Sequence, residues 1–251
     1  MLEVSNLSMR FGGLLAVDGV TLDVQEKEIV SIIGPNGAGK TTVFNCLSGF
    51  YKPTGGTILF RGKPIQGKPD YQISRLGLVR TFQHVRLFNS MTVVENLLVA
   101  QHRHLNTNLL SGLIRTPDYR RREQQALEKA AYWLKRVGLT DFANREAGNL
   151  AYGQQRRLEI ARCMVTNPAL LMLDEPAAGL NPAETRELNE LIVSLKESYG
   201  VSVVLIEHDM SLVMEISDRI NVINQSRPLA TGTPAEIRSN DEVIKAYLGE
   251  A

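Results

Sequence analysis

A chain of 251 residues is long enough to bury a large core, and its 28 basic and 27 acidic residues leave a formal charge of only +1. That balance gives no electrostatic reason to expect nucleic acid or an anionic membrane surface as a partner. The two cysteines, Cys46 and Cys163, lack the paired spacing of a zinc site, a redox motif or a disulfide framework, which predicts a reducing compartment.

The opening residues, MLEVSNLSMRF, lack the charged, apolar and small-residue order of a secretory signal. No apolar run approaches the roughly 18–20 residues needed to cross a bilayer. The expectation is a cytoplasmic chain that meets a membrane only through partners. Apolar residues alternate with polar ones at Leu2, Val4, Leu7 and Met9, and again at Val20, Leu22 and Val24, the pattern of half-buried antiparallel strands. Ile29-Val30-Ser31-Ile32-Ile33 is a nearly continuous β-branched run suited to a strand covered on both faces, followed by a glycine-rich turn and a helical segment.

Between about residues 90 and 167 the strand signal vanishes. Thr92 and Glu95 have capping-box spacing ahead of Leu97 and Leu98, which predicts a helix start. Residues 102–117 are polar, contain Gly112 and Pro117, and predict a surface loop with at best a short helix. Arg120-Arg121-Arg122 beside Glu123 reads as a solvated helix face. Residues 170–173 and 201–206 are further buried-strand runs. Between them lies a helix that Asn181 can cap, with Pro182 in its first turn, Glu184 at capping-box spacing, and an apolar stripe of Leu188, Leu191, Ile192 and Leu195. The alternation of strand and helix predicts the parallel sheet of an α/β fold.

Gly34-Pro35-Asn36-Gly37-Ala38-Gly39-Lys40-Thr41 fits the G-x-x-x-x-G-K-[ST] pattern between a buried strand and a helix. Glycines let such a loop turn its N–H groups inward around phosphate oxygens. Lys40 can then reach the terminal phosphates of ATP, the Thr41 hydroxyl can ligate magnesium (Mg2+), and the helix that continues through Thr42 adds the positive end of its dipole. Leu170-Leu171-Met172-Leu173 ends in Asp174-Glu175. A carboxylate at a strand end can hold the magnesium shell and its neighbour can polarise water, so Asp174 is assigned to metal and Glu175 to the general base.

Four further segments, in order, closely resemble those of the ABC transporter ATPases. The resemblance implies that Gln83, in Thr81-Phe82-Gln83, senses the γ-phosphate and touches the metal. Leu150-Ala151-Tyr152-Gly153-Gln154 is similar to the signature that caps ATP held by the opposite subunit of a head-to-tail dimer, making Tyr152, Gly153 and Gln154 nucleotide contacts. Ala178-Gly179-Leu180-Asn181 resembles the loop that crosses the dimer interface, and His208, in Ile206-Glu207-His208-Asp209, resembles the switch histidine. Phe11, in Arg10-Phe11-Gly12, takes the place of the aromatic residue that stacks on adenine. His84, His102 and His104 have no metal spacing and receive no role. One departure stands out: Ala151-Tyr152 replaces the usual Ser-Gly, removing a hydroxyl from the signature.

Residues 150–157 and 34–42, Phe50-Tyr51-Lys52-Pro53-Thr54-Gly55-Gly56, and the closing Ala246-Tyr247-Leu248-Gly249-Glu250 resemble the LivG-type ATPases of branched-chain amino-acid import. The resemblance implies an ABC-type P-loop ATPase with a mixed sheet core, a small antiparallel β layer and a helical subdomain. Residues 1–89 and 168–251 would form the RecA-like core with its β layer, and about 90–167 the helical subdomain of one ATPase domain. It further implies a second ATPase subunit, two transmembrane permease subunits, an indirectly acting periplasmic solute-binding protein, and a peripheral place on the cytoplasmic face of the inner membrane. Lipid or lipopolysaccharide export is the alternative that one motor module leaves open. A soluble translation or repair ATPase would call for tandem units, zinc modules or coiled coils that are lacking here, and a non-hydrolysing regulator would lack Glu175.

Overall fold

The computed structural model describes residues 1–105 and 117–248. Its strands are β1 (Leu2–Phe11), β2 (Leu14–Val24), β3 (Ile29–Ile33), β4 (Gly55–Phe60), β5 (Lys63–Pro64), β6 (Leu78–Arg80), β7 (Leu170–Asp174), β8 (Ser202–Ile206), β9 (Arg219–Asn224) and β10 (Arg227–Gly232). Among the described residues the helices of four or more residues are α1 (Lys40–Leu47), α2 (Asp70–Leu76), α3 (Val93–Leu105), α4 (Pro117–Arg136), α5 (Tyr152–Met164), α6 (Pro182–Tyr199), α7 (Met210–Ile216), α8 (Pro234–Arg238) and α9 (Asp241–Leu248). Contacts divide the chain into two compact units, residues 1–83 with 169–251, and residues 84–168.

The first unit holds two sheets. In the smaller, ordered β2-β1-β4-β5, neighbours run antiparallel. Leu2 and Val4 are buried on one face, yet the next buried positions, Leu7 and Met9, follow after a step of three. The register of β1 shifts between Val4 and Leu7, where Asn6 adopts φ 51°, so a bulge absorbs the extra residue and returns the apolar side chains to the same face. The larger sheet, ordered β10-β9-β3-β8-β7-β6, is parallel except for the antiparallel edge strand β10.

Every residue of β3, β7 and β8 is buried, as near-continuous apolar strands covered on both faces should be. One core joins Leu2, Leu7 and Ile58 of the small sheet to Val43, Phe44 and Leu47 of α1 and to Ile32, Met172 and Val204 of the large sheet. A separate cluster packs Ile33 and Val222 against Val213, Ile237 and Val243 from the helices α7, α8 and α9. Helix α6 begins as its sequence predicts. The Asn181 side-chain oxygen accepts from the N–H groups of Ala183 and Glu184, and Glu184 accepts the Asn181 N–H at 3.0 Å. Its stripe of Leu188, Leu191, Ile192 and Leu195 is buried, and Gly200 ends it at φ 64°.

In the second unit, Glu95 accepts the Thr92 N–H at 2.7 Å and the Thr92 hydroxyl accepts the Glu95 N–H at 3.3 Å, which starts α3 as the spacing predicts. Residues 102–105, expected in a surface loop, are helical instead. Helix α3 continues through Leu105, carried by a start already nucleated and by Gln101, whose Nε2 donates to the carbonyls of Leu97 and Ala126. Pro117 opens α4, where a missing N–H costs nothing. The rest of that expectation, residues 106–116, lies outside the described residues. Ala126, Ala130, Trp133 and Leu134 form the buried side of α4. Arg122 pairs with Asp118 one turn away, both well exposed, in keeping with a solvated face. No described helix is long and apolar enough to cross a membrane.

Candidate nucleotide site

The phosphate loop leaves the buried end of β3 and enters α1 at Lys40. Two of its glycines are irreplaceable on geometric grounds. A Cβ on Gly34, at φ 153°, would stand 1.9 Å from the Ile223 carbonyl oxygen, and one on Gly39, at φ 102°, 2.4 Å from that of Ala16. The Lys40 side chain is buried and lies back along the loop, donating to the carbonyl oxygens of Gly34 at 2.7 Å and Pro35 at 2.9 Å. Burial pulls its ammonium below the ordinary lysine pKa, and the negative charge of Glu175 partly opposes that shift.

A cleft of about 370 Å³ brings ten of the predicted residues together, while Gly34, Pro35, Gln83 and Asp174 are not part of its lining. Phe11, Asn36, Gly37, Ala38, Gly39, Lys40, Thr41, Thr42, Glu175 and His208 all line it. Phe11 is 41% exposed at its rim, and Tyr51 meets the Phe11 ring edge-on with centroids 5.2 Å apart. Gln83 reaches the site through Glu175. Its amide Nε2 donates to Glu175 Oε2 at 2.9 Å, while the other carboxylate oxygen lies 2.7 Å from His208 Nε2. The Glu175 backbone adopts φ 47°, a left-handed conformation that costs a non-glycine residue about 1–3 kcal/mol, and its N–H donates to the Ile206 carbonyl at 2.9 Å. The chain turns there as β7 ends, carrying the carboxylate to the cleft.

Asp174, the last residue of β7, is buried and in an ion pair that sequence reasoning missed. Arg80 at the end of β6 donates to its Oδ2 at 2.6 Å. Glu207 was missed as well. It is buried behind the site and accepts the N–H groups of Ala177 at 2.7 Å and of its neighbour His208 at 3.0 Å, tying the segment after Glu175 to the histidine. Burial raises the Glu207 pKa, the donated N–H groups work against that, and the Glu175 charge adds to it. Arg80 and Glu207 carry no local motif; they become visible only when the strand order is known.

The signature residues belong to the helical unit. Ala151 is the N-cap of α5 and has no side-chain oxygen to offer its first-turn amides, while Gln154 reaches back to accept the Ala151 N–H at 3.1 Å. Tyr152 is 42% exposed with the Arg156 guanidinium over its ring, Gly153 is buried, and Gln154 is half-buried. Among the described residues no cluster of three or more His, Cys, Asp or Glu could cage a metal ion.

Fold and cleft together define an α/β P-loop ATPase. The family model of the ABC transporter matches residues 17–178, and that of the branched-chain amino acid ATP-binding cassette transporter matches residues 227–251. The chain is 69% identical over 251 residues, covering 100% of itself and 98% of the relative, to the high-affinity branched-chain amino acid transport ATP-binding protein BraF of Pseudomonas aeruginosa. It is 66% identical, with the same coverage, to the transport ATP-binding protein LivG of Escherichia coli. Among solved structures, the ADP conformation of MJ1267, an ATP-binding cassette of an ABC transporter, superposes with a TM-score of 0.86 at 32% identity, covering 100% of this chain and 99% of that one. The chain therefore belongs to the ATP-binding proteins of the ABC transporters, in the group that contains LivG and BraF.

Proposed function

We propose that this chain hydrolyses ATP to drive the import of leucine, isoleucine and valine. The observation that carries the chemistry is the Glu175 carboxylate, held between Gln83 and His208 in a cleft shared with the phosphate loop. The choice of solute rests on relatives whose names specify branched-chain amino acid transport. The same relatives weigh against lipid or lipopolysaccharide export.

In this reading the inward N–H groups of residues 34–41 hold the phosphates of ATP, and Lys40 trades its loop carbonyls for phosphate oxygens. Phe11 stacks on the adenine. Glu175 accepts the proton of the water that attacks the γ-phosphate, releasing ADP and phosphate, while Gln83 and His208 keep its carboxylate aimed. The donor set fits magnesium: the Thr41 hydroxyl, Asp174 and Gln83 are hard oxygen ligands, and this ion is held by one or two carboxylates plus substrate phosphates rather than by a protein cage. When bound, it supplies positive charge to the phosphates.

Residues 151–154 support a head-to-tail partnership with a second ATPase subunit. Their first-turn amides lack a cap oxygen from Ala151, and a γ-phosphate presented by another subunit would supply the acceptor. In the absence of the family's serine hydroxyl, backbone amides and Gln154 carry that contact. An ATP-binding subunit of a transporter with no membrane-crossing helix among its described residues needs permease subunits, two in this reading, fed by a periplasmic binding protein. Its place is then peripheral, on the cytoplasmic face of the inner membrane.

The test is to purify tagged Glu175→Gln protein from detergent-solubilised membranes of its host and identify what accompanies it by mass spectrometry. Recovery of a second ATPase and two polytopic permeases is the expected result. Recovery of lipid-export components, or of ribosomal or repair proteins alone, would overturn the transport assignment.

A further inference from the structure

Arg80 is a buried cation of the first unit, and nothing in the phosphate-loop or Asp-Glu motifs accounts for it. Its side chain is only 7% exposed. Its guanidinium donates through terminal Nη2 to Asp174 Oδ2 at 2.6 Å, and through terminal Nη1 to Asn45 Oδ1 at 2.7 Å and Ser48 Oγ at 2.9 Å. The same guanidinium lies over the rings of Phe44 at 5.4 Å, Phe82 at 5.6 Å and Phe50 at 5.8 Å. A planar group with five donors and a delocalised charge can serve such a collection of acceptors and ring faces at once; an ammonium cannot.

These contacts join three pieces of the site. Asn45 and Ser48 belong to α1 and its C-terminal cap, the helix that starts in the phosphate loop. Asp174 ends the strand that delivers Glu175. Arg80 itself is three residues before Gln83, and the stretch between is fixed to the same strand: the Thr81 N–H donates to the Met172 carbonyl at 2.9 Å, and the Thr81 hydroxyl accepts the Asp174 N–H at 3.4 Å. A buried carboxylate left unpaired would be costly in this position, and a guanidinium on Oδ2 both neutralises it and fixes its rotamer.

We propose that Arg80 is a positioning residue for the divalent cation. It holds Asp174 by Oδ2 so that Oδ1 remains for the metal shell, and it makes that orientation depend on α1 and on the Gln83 segment. This rests on the ATPase reading, through the assignment of Asp174 to magnesium. Removing a group that orients a metal ligand typically weakens metal affinity about 10–100-fold.

The test uses manganese as a paramagnetic stand-in for magnesium. Free Mn2+ is titrated by electron paramagnetic resonance against the full chain carrying ATPγS, and ATPγS binding is measured separately in EDTA. Arg80→Gln is expected to weaken Mn2+ binding by about tenfold or more while metal-free nucleotide affinity stays within about twofold, and Arg80→Lys is expected to restore little of the loss. Asn45→Ala, which keeps the Arg80 charge but removes one of its anchors, shifts Mn2+ affinity the same way by less, and it decides the matter if Arg80→Gln does not fold. Wild-type Mn2+ affinity in folded Arg80→Gln, or in Asn45→Ala where only that variant folds, overturns the proposal, as does full restoration by lysine. Failure of the wild-type chain to bind ATPγS even in EDTA would instead strike at the ATPase reading.

Discussion

At the scale of single residues, the site depends on which groups the strand ends bring within hydrogen-bonding distance. Glu175 is poised by two partners at once, Gln83 and His208. Replacing it with glutamine keeps the size and one acceptor but removes the proposed base, so turnover is expected to fall by about 10²–10⁴-fold while ATP still binds. A phosphate-release assay beside equilibrium nucleotide binding separates the two effects; equal loss of both would mean that Glu175 holds nucleotide rather than activating water. Lys40→Ala should do the opposite and abolish binding itself, because among the described residues no other lysine or arginine lines the cleft. The turn of residues 34–41 was legible in the sequence because its geometry demands glycine at fixed spacing, where a Cβ would meet a carbonyl oxygen. Arg80 was not, since its meaning comes from Asp174, 94 residues away and on a neighbouring strand.

Elements were readable where a local signal sets their ends. Asn181 and Glu184 satisfy each other's backbone across the start of α6, and Asn181→Ala is expected to lower stability by about 1 kcal/mol, seen as a shift of the urea midpoint without a change of slope. No shift would mean that the cap is redundant with packing of the buried stripe. The buried strands β3, β7 and β8 announced themselves by unbroken apolar runs. Strands β4, β6 and β10 did not: β4 opens with two glycines, β6 spans three residues, and β10 carries a proline on the sheet edge. Their strand character comes from pairing with neighbours distant in sequence, which no local pattern records. The extension of α3 through Leu105 has the same origin, a tertiary hydrogen bond from Gln101 to α4 in a stretch whose composition suggests a loop.

For the whole molecule, the phosphate loop and Glu175 lie in one compact unit and the signature residues in the other. In the proposed cycle nucleotide would join the phosphate loop of one subunit to the signature of a second, and hydrolysis would become movement because the joining contacts would exist only while the γ-phosphate is present. The cleft holds no feature that selects a solute, so the sequence spoke to the solute only through family resemblance. The measurement that tests the account most directly is uptake of labelled leucine into liposomes carrying the copurified membrane complex, with binding protein and leucine outside in the periplasm-facing orientation and ATP on the side of this subunit. The account predicts ATP-dependent leucine accumulation that disappears when this chain carries Glu175→Gln. Vigorous ATP hydrolysis without uptake of leucine, isoleucine or valine, or uptake indifferent to Glu175→Gln, would contradict it.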